Sequence, residues 1–435
     1  MTITGTTAAE IFDSIRLLAR GGDLPPGHAL PPVRDLAATL GVNRNTVALA
    51  YRRLATAGIA TTQGRLGTRI RPPHGAGEQE GALPGSPLVD LASGNPAPRW
   101  LPDVPALLAQ RPYRPRLYGE APVAPALDAH ARRWFDGDCP ARFAISLAHG
   151  AVDAVERLLA ACLVPGDTVA VEDPCFLGSI NTLRIGGYQA VGVAVDAEGM
   201  RADALDAALA GGAQAVIVTP RAQNPTGCSL SAARARQLRA VLARHRHALV
   251  IADDHFSLLS AAGYHDVIPR GARRWAVVRS VSKPFGPDLR LAFVASDTQT
   301  AQRLQLRLAP GTGWVSHLLQ DVVGACLASP AVTRRIAGAR ADYARRRDAL
   351  RAALAAQSVP VLAPADGLNL WLPLPADSRP VTTALARRGW RVRGGEAFGV
   401  QAPAHGLRIT VSTLDPAQAR CLARDLGQVL AAEAD

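Results

Sequence analysis

The pattern of apolar and polar positions divides the chain into two regions of different kind. In the first 71 residues, apolar side chains recur at helical spacing over three segments and then continue in two short strand-like pieces. We therefore predict helices over Ala8–Arg20, Val33–Leu40 and Arg44–Ala57, and a hairpin with strands near Ile59–Thr62 and Thr68–Ile70. This order predicts a small, mainly helical domain that ends in a hairpin.

Beyond residue 88, short apolar runs alternate with helical stretches, which is typical of a mainly parallel sheet covered by helices. The helical stretches include Ala151–Leu163 and Ser231–Arg244. The predicted strands are Thr168–Val171, Ala215–Val218, Ala248–Ala252, Trp275–Val278 and Leu291–Ala295. The fold class that follows is a mainly helical domain with a hairpin, joined to an α/β domain.

A segment rich in proline and glycine separates the two regions. Residues 72–88, PPHGAGEQEGALPGSPL, show no apolar periodicity, and we interpret them as a linker. The predicted domains are therefore residues 1–71 and residues 89–435. From about Ala309 the pattern becomes more helical, with strands predicted at Asn369–Leu372 and Leu407–Val411. We interpret residues 310–435, approximately, as a smaller α+β subdomain.

Composition excludes several classes of protein. The 435 residues are 48% hydrophobic and 19% charged, and no apolar run reaches the roughly 18 residues that span a bilayer. The first residues lack a basic start, an apolar stretch and a cleavage site, so we expect a soluble, cytoplasmic protein. Six widely spaced cysteines without a C-x-x-C pair argue against a zinc site and against a disulfide framework.

Charge and turn chemistry in the first region indicate a polyanionic partner. The net charge is +12, and residues 1–71 hold nine arginines against four acidic residues. In LPPVRDLAATLGVNRNTVALAYRRL, two helices flank a glycine-containing turn, and Asn43 is placed to cap the second helix. Side chains that suit base edges or phosphates are Arg44, Asn45 and Thr46 on that helix, with Arg34 and Arg65 near the DNA backbone. A three-helix bundle with a solvated basic face is the structural alternative.

The stretch from Gly21 to Ile70, with the hairpin motif GRLGT, resembles the winged helix-turn-helix of GntR-type bacterial regulators. The resemblance covers essentially the whole first domain. It implies that double-stranded operator DNA is a partner. It also implies that the positions at the DNA are Arg34, Arg44, Asn45, Thr46, Arg65 and Gly67.

Lysine occurs once in the sequence, at Lys283, although the chain has 48 basic residues. An arginine guanidinium stays protonated and cannot act as an amine nucleophile, whereas a lysine amine can. Because arginine is used at the other 47 of these positions, the single lysine indicates a site where a primary amine is chemically required. The alternative is that Lys283 is a chance survivor.

The neighbourhood of Lys283 suits an aldehyde cofactor that carries a phosphate. In VVRSVSKPFGPDLRLAFVAS, hydroxyls precede the amine and a guanidinium follows it. The segment ISLAHGA leads directly into a predicted helix, so amides near Gly150 would face a phosphate. Asp253 ends the apolar run ALVIADD, where a carboxylate can pair with a protonated pyridine nitrogen. Taken singly, each residue also has an ordinary structural interpretation. Asp253 fits as a loop cap, Gly150 and Asn224 fit as turn residues, and Arg290 fits as a surface charge.

Together and in this order, these motifs resemble the fold-type I pyridoxal-phosphate enzymes of the aminotransferase kind, from about Val89 to the C-terminus. The resemblance implies that pyridoxal 5'-phosphate is the cofactor, that Lys283 forms its internal aldimine, and that the protein is a homodimer. Asp253 would pair with the ring nitrogen and Asn224 with the ring hydroxyl. The remaining implied contacts are Phe176 stacking on the ring, His149, Gly150, Ala151, Ser280, Ser282 and Arg290 around the phosphate, Tyr118 reaching the partner subunit's phosphate, and Arg408 holding a substrate carboxylate.

Two departures from that enzyme pattern stand out. Many relatives place a tyrosine shortly after the aspartate, whereas this sequence has Asp254, His255 and Phe256. His255 can hydrogen-bond the cofactor's oxygen, but its protons differ from those of a phenol. The segment GEAPVAPAL lacks the glycine usual a few residues after the tyrosine. Both changes count against efficient transamination.

The order of the two halves resembles the MocR regulators. That resemblance implies a transcriptional regulator that senses an amino acid, an amine or a B6 vitamer through the aldimine at Lys283. From the overall similarity of two segments, IADDHFSLLS and SKPFGPDLRLAFVASD, we predict a branch of the MocR regulators that is linked to vitamin B6. Two alternatives stay open: an active aminotransferase with an accessory DNA-binding domain, and a DNA-binding protein whose second domain is an empty dimerisation scaffold.

Overall fold

The structure, a computed structural model, describes residues 2–62, 67–71, 80–81, 85–109 and 114–434. The chain divides into two compact units. One unit contains residues 1–77 together with 164–167 and 183–189, and the other contains the remaining residues. Within the predicted linker, residues 72–79 and 82–84 lie outside the described residues, and so does Arg65.

The N-terminal region contains the three predicted helices and the hairpin. A capping box between Thr7 and Glu10 starts the first helix, and Ile11 and Ile15 on its inner face are fully buried. The two strands pair antiparallel. The elements are α1 (Ala8–Gly21), α2 (Val33–Leu40), α3 (Arg44–Thr56), β1 (Ala60–Thr62) and β2 (Thr68–Ile70).

The rest of the chain alternates strands and helices as the sequence predicts. Two short 3-10 turns, Pro98–Trp100 and Glu396–Phe398, accompany the regular elements. The elements in chain order are β3 (Val89–Asp90), α4 (Val104–Leu108), α5 (Pro125–Phe135), β4 (Ala144–Ala148), α6 (Ala151–Cys162), β5 (Thr168–Asp173), α7 (Leu177–Ile185), β6 (Gln189–Asp196), β7 (Gly199–Met200), α8 (Ala202–Ala210), β8 (Ala215–Val218), α9 (Ala232–Arg244), β9 (Leu249–Asp253), β10 (Trp275–Ser280), α10 (Ser282–Phe285), β11 (Ala292–Ser296), α11 (Thr298–Leu308), α12 (His317–Ala328), α13 (Pro330–Ala355), β12 (Asn369–Pro373), α14 (Arg379–Arg387), β13 (Trp390–Arg391), β14 (Arg393–Gly394), β15 (Gly406–Thr410) and α15 (Pro416–Ala434).

A large sheet in the order β4-β11-β10-β9-β8-β5-β6-β7 forms the centre of this region. The neighbours β10, β9, β8 and β5 run parallel, and every residue of β8, β9 and β10 is buried, as expected for strands covered on both faces. All five predicted strands are present. β11 runs antiparallel to β10 and to β4, because the connection through α10 is too short for a parallel crossover.

A smaller sheet, in the order β12-β15-β14, lies in the C-terminal part with antiparallel pairing. Its apolar side chains share a core with α13, α14 and α15, to which Leu350, Leu370, Ile409 and Leu422 contribute. β3 pairs in parallel with β13, so the residues that follow the predicted linker pack beside the C-terminal segment. The strands predicted at Asn369–Leu372 and Leu407–Val411 correspond to β12 and β15.

All six cysteines are free thiols, four of them buried. Across the described residues, no helix is both long enough and apolar enough to cross a membrane.

Candidate functional site

The register of the large sheet brings the predicted site residues to one edge. Asp253 at the end of β9 pairs with Val278 of β10, and Ser280 pairs with Ala292 of β11. Ala292 in turn pairs with Ala148, the last residue of β4. The carboxylate, the segment that carries the lysine and the turn that begins α6 therefore lie at the carboxyl ends of neighbouring strands, where α/β sheets bind ligands.

Lys283 lies on the short helix α10 directly after β10. The residue is half-buried, and its Nζ donates a hydrogen bond of 2.7 Å to the backbone oxygen of Gly94. Burial lowers the pKa of Lys283 to about 8, while the negative charge of Glu80 opposes that shift and the positive charge of Arg408 adds to it. A substantial fraction of the amine is therefore neutral, and nucleophilic, slightly above neutral pH.

Hydrogen-bond donors meet around Gly150, which precedes the 12-residue helix α6, and one of them is Ser282, the neighbour of Lys283 in the chain. Gly150 has φ +88, and a Cβ on it would lie 3.8 Å from Nε of Arg290 and 3.9 Å from Oγ of Ser282. Ser280 Oγ and Ser282 Oγ are 3.3 Å apart. A side chain at Gly150 would fill the space next to these groups. The donors around it are the amides at the start of α6, the two hydroxyls and the Arg290 guanidinium, and this set of donors suits an anion.

The residues next to Gly150 continue this surface. Ala151 is the first residue of α6. The backbone N–H of His149 donates to Oδ2 of Asp153 at 2.9 Å, and the His149 Nδ1 lies 3.8 Å from the same oxygen. Asp153 therefore orients the turn before the helix.

Asp253 offers a buried acceptor. Its Oδ1 accepts no hydrogen bond within the described part of the chain, and Nδ1 of His255 lies 3.5 Å away. Burial by itself lowers the pKa of His255, but the nearby negative charge of Asp253 outweighs it, so the pKa of His255 is raised. The pair leaves one carboxylate oxygen free to accept a proton-bearing ring nitrogen.

Asp254, between those two residues, anchors this end of β9. Arg221 donates two hydrogen bonds to its carboxylate, at 2.9 and 2.6 Å, and Nε of Arg279 donates a third at 2.9 Å. Asp254 is completely buried. Because both of its carboxylate oxygens are occupied, the backbone that carries Asp253 and His255 is held in place.

Arg408 is completely buried in β15, and its guanidinium meets two other side chains. Nη1 donates to Oδ1 of Asn224 at 3.0 Å, so these two predicted site residues are brought together. Both Nη atoms also donate to the carboxylate of Glu80, with Nη2 and Oε2 2.7 Å apart. Nδ2 of Asn224 donates to the same carboxylate at 3.2 Å. The position predicted to hold a substrate carboxylate is thus paired with a carboxylate of the chain itself.

Sequence reasoning missed Glu80. It lies within the predicted linker, in the segment GEQEG, where no apolar periodicity or motif marks it. Its partner Arg408 is 328 positions further along the chain. A contact over that distance has no local sequence signal.

Two predicted aromatic residues lie apart from these contacts. Phe176 is partly buried, and its ring covers the Cα of Gly178, where no Cβ would fit. Tyr118 is 93% exposed, and its ring meets Trp314 edge-on with 5.5 Å between centroids. The described contacts join neither ring to Lys283.

The predicted DNA-contacting residues of α3 lie on its exposed start. Asn43 caps the helix through a hydrogen bond of 2.8 Å from the N–H of Asn45 to its Oδ1, as the sequence predicts. Arg44 and Asn45 are exposed, and Thr46 is partly buried. On α2, the side chain of Arg34 is 75% exposed and forms an ion pair with Asp35 at 3.2 Å. Gly67, before β2, is exposed with φ +78.

Each half of the chain matches a known family. Residues 7–70 match the family described as bacterial regulatory proteins, gntR family. Residues 88–426 match the family described as aminotransferase class I and II. The two matches follow the predicted order and leave residues 71–87 between them.

Similar proteins combine the same two halves or share the second one. The vitamin B6 salvage pathway transcriptional repressor PtsJ of Salmonella typhimurium is 53% identical over 98% of this chain and 99% of its own length. The pyridoxine biosynthesis transcriptional regulator PdxR of Corynebacterium glutamicum is 29% identical over 88% of this chain and 86% of its own. Among solved structures, kynurenine aminotransferase of Pyrococcus horikoshii in complex with PMP has a TM-score of 0.73 at 21% identity, covering 81% of this chain and 92% of that one.

Proposed function

We propose a function from the premise that this chain belongs to the MocR-type family of transcriptional regulators, which join a GntR-type DNA-binding domain to an aminotransferase-like domain. In this proposal the protein binds operator DNA through the start of α3 and binds pyridoxal 5'-phosphate at Lys283. The second domain acts as the sensor. The observation that carries the proposal is the arrangement of the single lysine beside the space bounded by Gly150, Ser282 and Arg290.

The residues around Lys283 fit the cofactor's separate groups. When bound, pyridoxal phosphate supplies an aldehyde that condenses with an amine and a ring that withdraws electrons from it. The cofactor's phosphate would lie among the α6 amides, Ser280, Ser282 and Arg290. The Oδ1 of Asp253 would accept the proton of the ring nitrogen, with His255 beside it. From the resemblance to aminotransferases, Asn224 would bond the ring hydroxyl and Phe176 would stack on the ring face.

We propose that the protein is a homodimer. Tyr118 is almost fully exposed, and it matches a tyrosine that reaches the partner subunit's phosphate in aminotransferase-like proteins. Leu117 beside it is 74% exposed. An apolar pair left in water at this position is explained if a second copy covers it.

On the DNA, Arg44, Asn45 and Thr46 would read base edges in the major groove, while Arg34, Arg65 and the backbone at Gly67 would contact phosphates. What supports this assignment is that the start of α3 is exposed while its inner face, with Val47 and Leu54, is fully buried. A helix presented in this way is suited to the groove.

The ligand that we propose is a B6 vitamer, with the cofactor itself as the signal, and the regulated genes belong to vitamin B6 metabolism. Support comes from the two regulators described above, whose names link them to vitamin B6 salvage and to pyridoxine biosynthesis. By analogy with the Salmonella protein we propose repression as the direction of control. A ligand can shift DNA binding only if it prefers one of two states of the protein.

We propose sensing rather than steady turnover. Arg408, the residue available for a substrate carboxylate, is paired with Glu80, and His255 stands where the enzymes have a phenol. An active aminotransferase with an accessory DNA-binding domain is the competing function. Sustained conversion of an amino acid and a keto acid by the purified protein would decide in its favour.

The test is a gel-shift titration of DNA from upstream of its own gene with three preparations: the protein loaded with cofactor, the cofactor-free protein and Lys283→Ala. We expect the loaded protein to differ in affinity from the other two, which should agree with each other. Equal affinity in all three would contradict sensing and leave DNA binding intact. Borohydride reduction and peptide mapping provide the matching readout, because the reduced adduct should be found on Lys283 alone.

A further inference from the structure

The carboxylate of Glu80 occupies the site at Arg408 as a ligand would. It accepts hydrogen bonds from both Nη atoms of Arg408 and from Nδ2 of Asn224. Arg408 is completely buried, and its Nη2 also donates to the backbone oxygen of Ala92. A bidentate arginine with an amide beside it is the set of donors that recognises a free carboxylate in a ligand.

The backbone around Glu80 is fitted to this position. A Cβ on Gly94, which has φ +66, would lie only 3.0 Å from Oε2 of Glu80, so the absence of a side chain there lets the carboxylate approach. The N–H of Gly81 donates to the backbone oxygen of Ser93 at 3.2 Å. The same Gly94 accepts the hydrogen bond of Lys283 through its backbone oxygen. Glu80 is therefore held by main-chain and side-chain contacts beside the lysine.

Electrostatics keep this carboxylate ionised. Burial acts to raise the pKa of Glu80, but hydrogen bonds and positive charge from Arg408, with a smaller contribution from Lys283, lower it below its ordinary value. An ionised carboxylate on Arg408 excludes a second one, because a ligand's carboxylate would need the same two Nη atoms.

We propose that Glu80 is an internal competitor for the carboxylate site: it blocks free amino acids from Arg408 and thereby limits the sensor to amines and B6 vitamers that have no carboxylate. This inference rests on the proposed function, since it concerns access to the same Lys283. Being part of the chain, Glu80 competes at an effective concentration of about millimolar or more, so ordinary amino acids displace it poorly.

The experiment uses the full-length protein loaded with pyridoxal phosphate and two probes that differ by one carboxylate, L-alanine and ethylamine. The absorbance of the bound cofactor reports the half-saturating concentration of each amine. Glu80→Ala is compared with Glu78→Ala, which removes the same charge two positions earlier, and with Glu80→Gln, which keeps the side chain's size.

We expect Glu80→Ala to lower the half-saturating concentration of L-alanine by about tenfold or more, because a buried arginine left without its partner gains strongly from a new carboxylate. Ethylamine should change by less than about twofold, since it makes no use of Arg408. Glu80→Gln should lie between, and Glu78→Ala should match the unchanged protein. In Glu80→Ala/Arg408→Gln the gain for L-alanine should disappear.

Equal L-alanine affinity in Glu80→Ala and Glu78→Ala would overturn the inference, provided that both bind the cofactor. An equal gain for both amines would overturn it as well, because that result reports a changed Lys283 and not a freed Arg408. Failure of the unchanged protein to take up the cofactor at all would instead contradict the proposed function, so the two failures are distinguishable.

Discussion

Lys283 shows how one residue acquires reactivity from its surroundings. As it is the single lysine, the only other primary amine in the chain is the α-amino group, so acylation by a small reagent such as acetic anhydride can be assigned by mass spectrometry. We expect the pH profile of Lys283 acetylation in the cofactor-free protein to have its midpoint at about 8, because burial lowers the pKa of this amine. Glu80→Ala should move the midpoint to lower pH, since the charge of Glu80 raises that pKa. A midpoint near the ordinary value of about 10.4 would contradict this account.

The pair formed by Asp253 and His255 makes a prediction about stability. The pKa of His255 is raised in the folded protein, so its protonated form stabilises the fold below the pKa of an unfolded histidine, about 6.5. That contribution is lost as the pH rises through the higher, folded-state pKa. We expect the difference in free energy of unfolding between the cofactor-free protein and His255→Gln to be largest near pH 6 and to shrink towards pH 9. Denaturant titrations at several pH values measure it, and a difference that grows with pH would refute the assignment.

At the start of α3, one residue stabilises the helix and a different residue is exposed for DNA recognition. Asn43 caps this helix through its side chain, whereas Asn45 supplies only a backbone N–H to that cap and points an exposed side chain outward. We expect Asn43→Ala to destabilise α3 by about 1 kcal/mol, read from hydrogen exchange of its amides in the full chain. Asn45→Ala should leave exchange unchanged and weaken operator binding by about tenfold. Identical exchange in the two variants would contradict the capping role.

Buried charges hold the end of β9 in place. Asp254→Asn leaves the buried Arg221 without its carboxylate partner and leaves Arg279 paired with Asp138 alone, so we expect a loss of about 3 kcal/mol or more in the free energy of unfolding of the aminotransferase-like domain. The matched control is Asp348→Asn, which breaks an exposed pair with Arg351 and should cost less than about 1 kcal/mol. Urea denaturation of both variants makes the comparison. A similar small loss of unfolding free energy in both variants would show that the ion pairs of Asp254 with Arg221 and Arg279 do not stabilise the domain.

For the whole molecule, Glu80 contacts Arg408 at the proposed sensor site and follows, in the sequence, the segment that leads to the GntR-type domain. Glu80 lies nine positions after Arg71, a span of at most about 30 Å when extended. We expect the ratio of operator affinities with and without cofactor to fall towards one in Glu80→Ala, because the joining segment is then no longer fastened beside Lys283. Glu78→Ala should keep the ratio of the unchanged protein. Gel-shift titrations measure both, and a ratio unaltered by Glu80→Ala would exclude this route of coupling.

The sequence by itself determined the elements and the chemistry that is local in the chain. Periodicity located α2 at its observed bounds and the strands β5, β8, β9 and β10, because apolar spacing follows directly from helix and strand geometry. The single lysine and the order of the two halves indicate a cofactor-binding regulator from the sequence alone. The cap at Asn43 was also predictable, since a cap involves neighbouring residues only.

Only the tertiary structure decided which distant residues meet. The antiparallel direction of β11, the anchoring of Asp254 by two arginines and the pairing of Glu80 with Arg408 all depend on how the sheet and the C-terminal strands pack. Residues 80 and 408 carry opposite charges at positions that no periodicity relates. Their contact exists because folding buries Arg408, and a buried guanidinium requires a carboxylate partner whose identity the local sequence does not record.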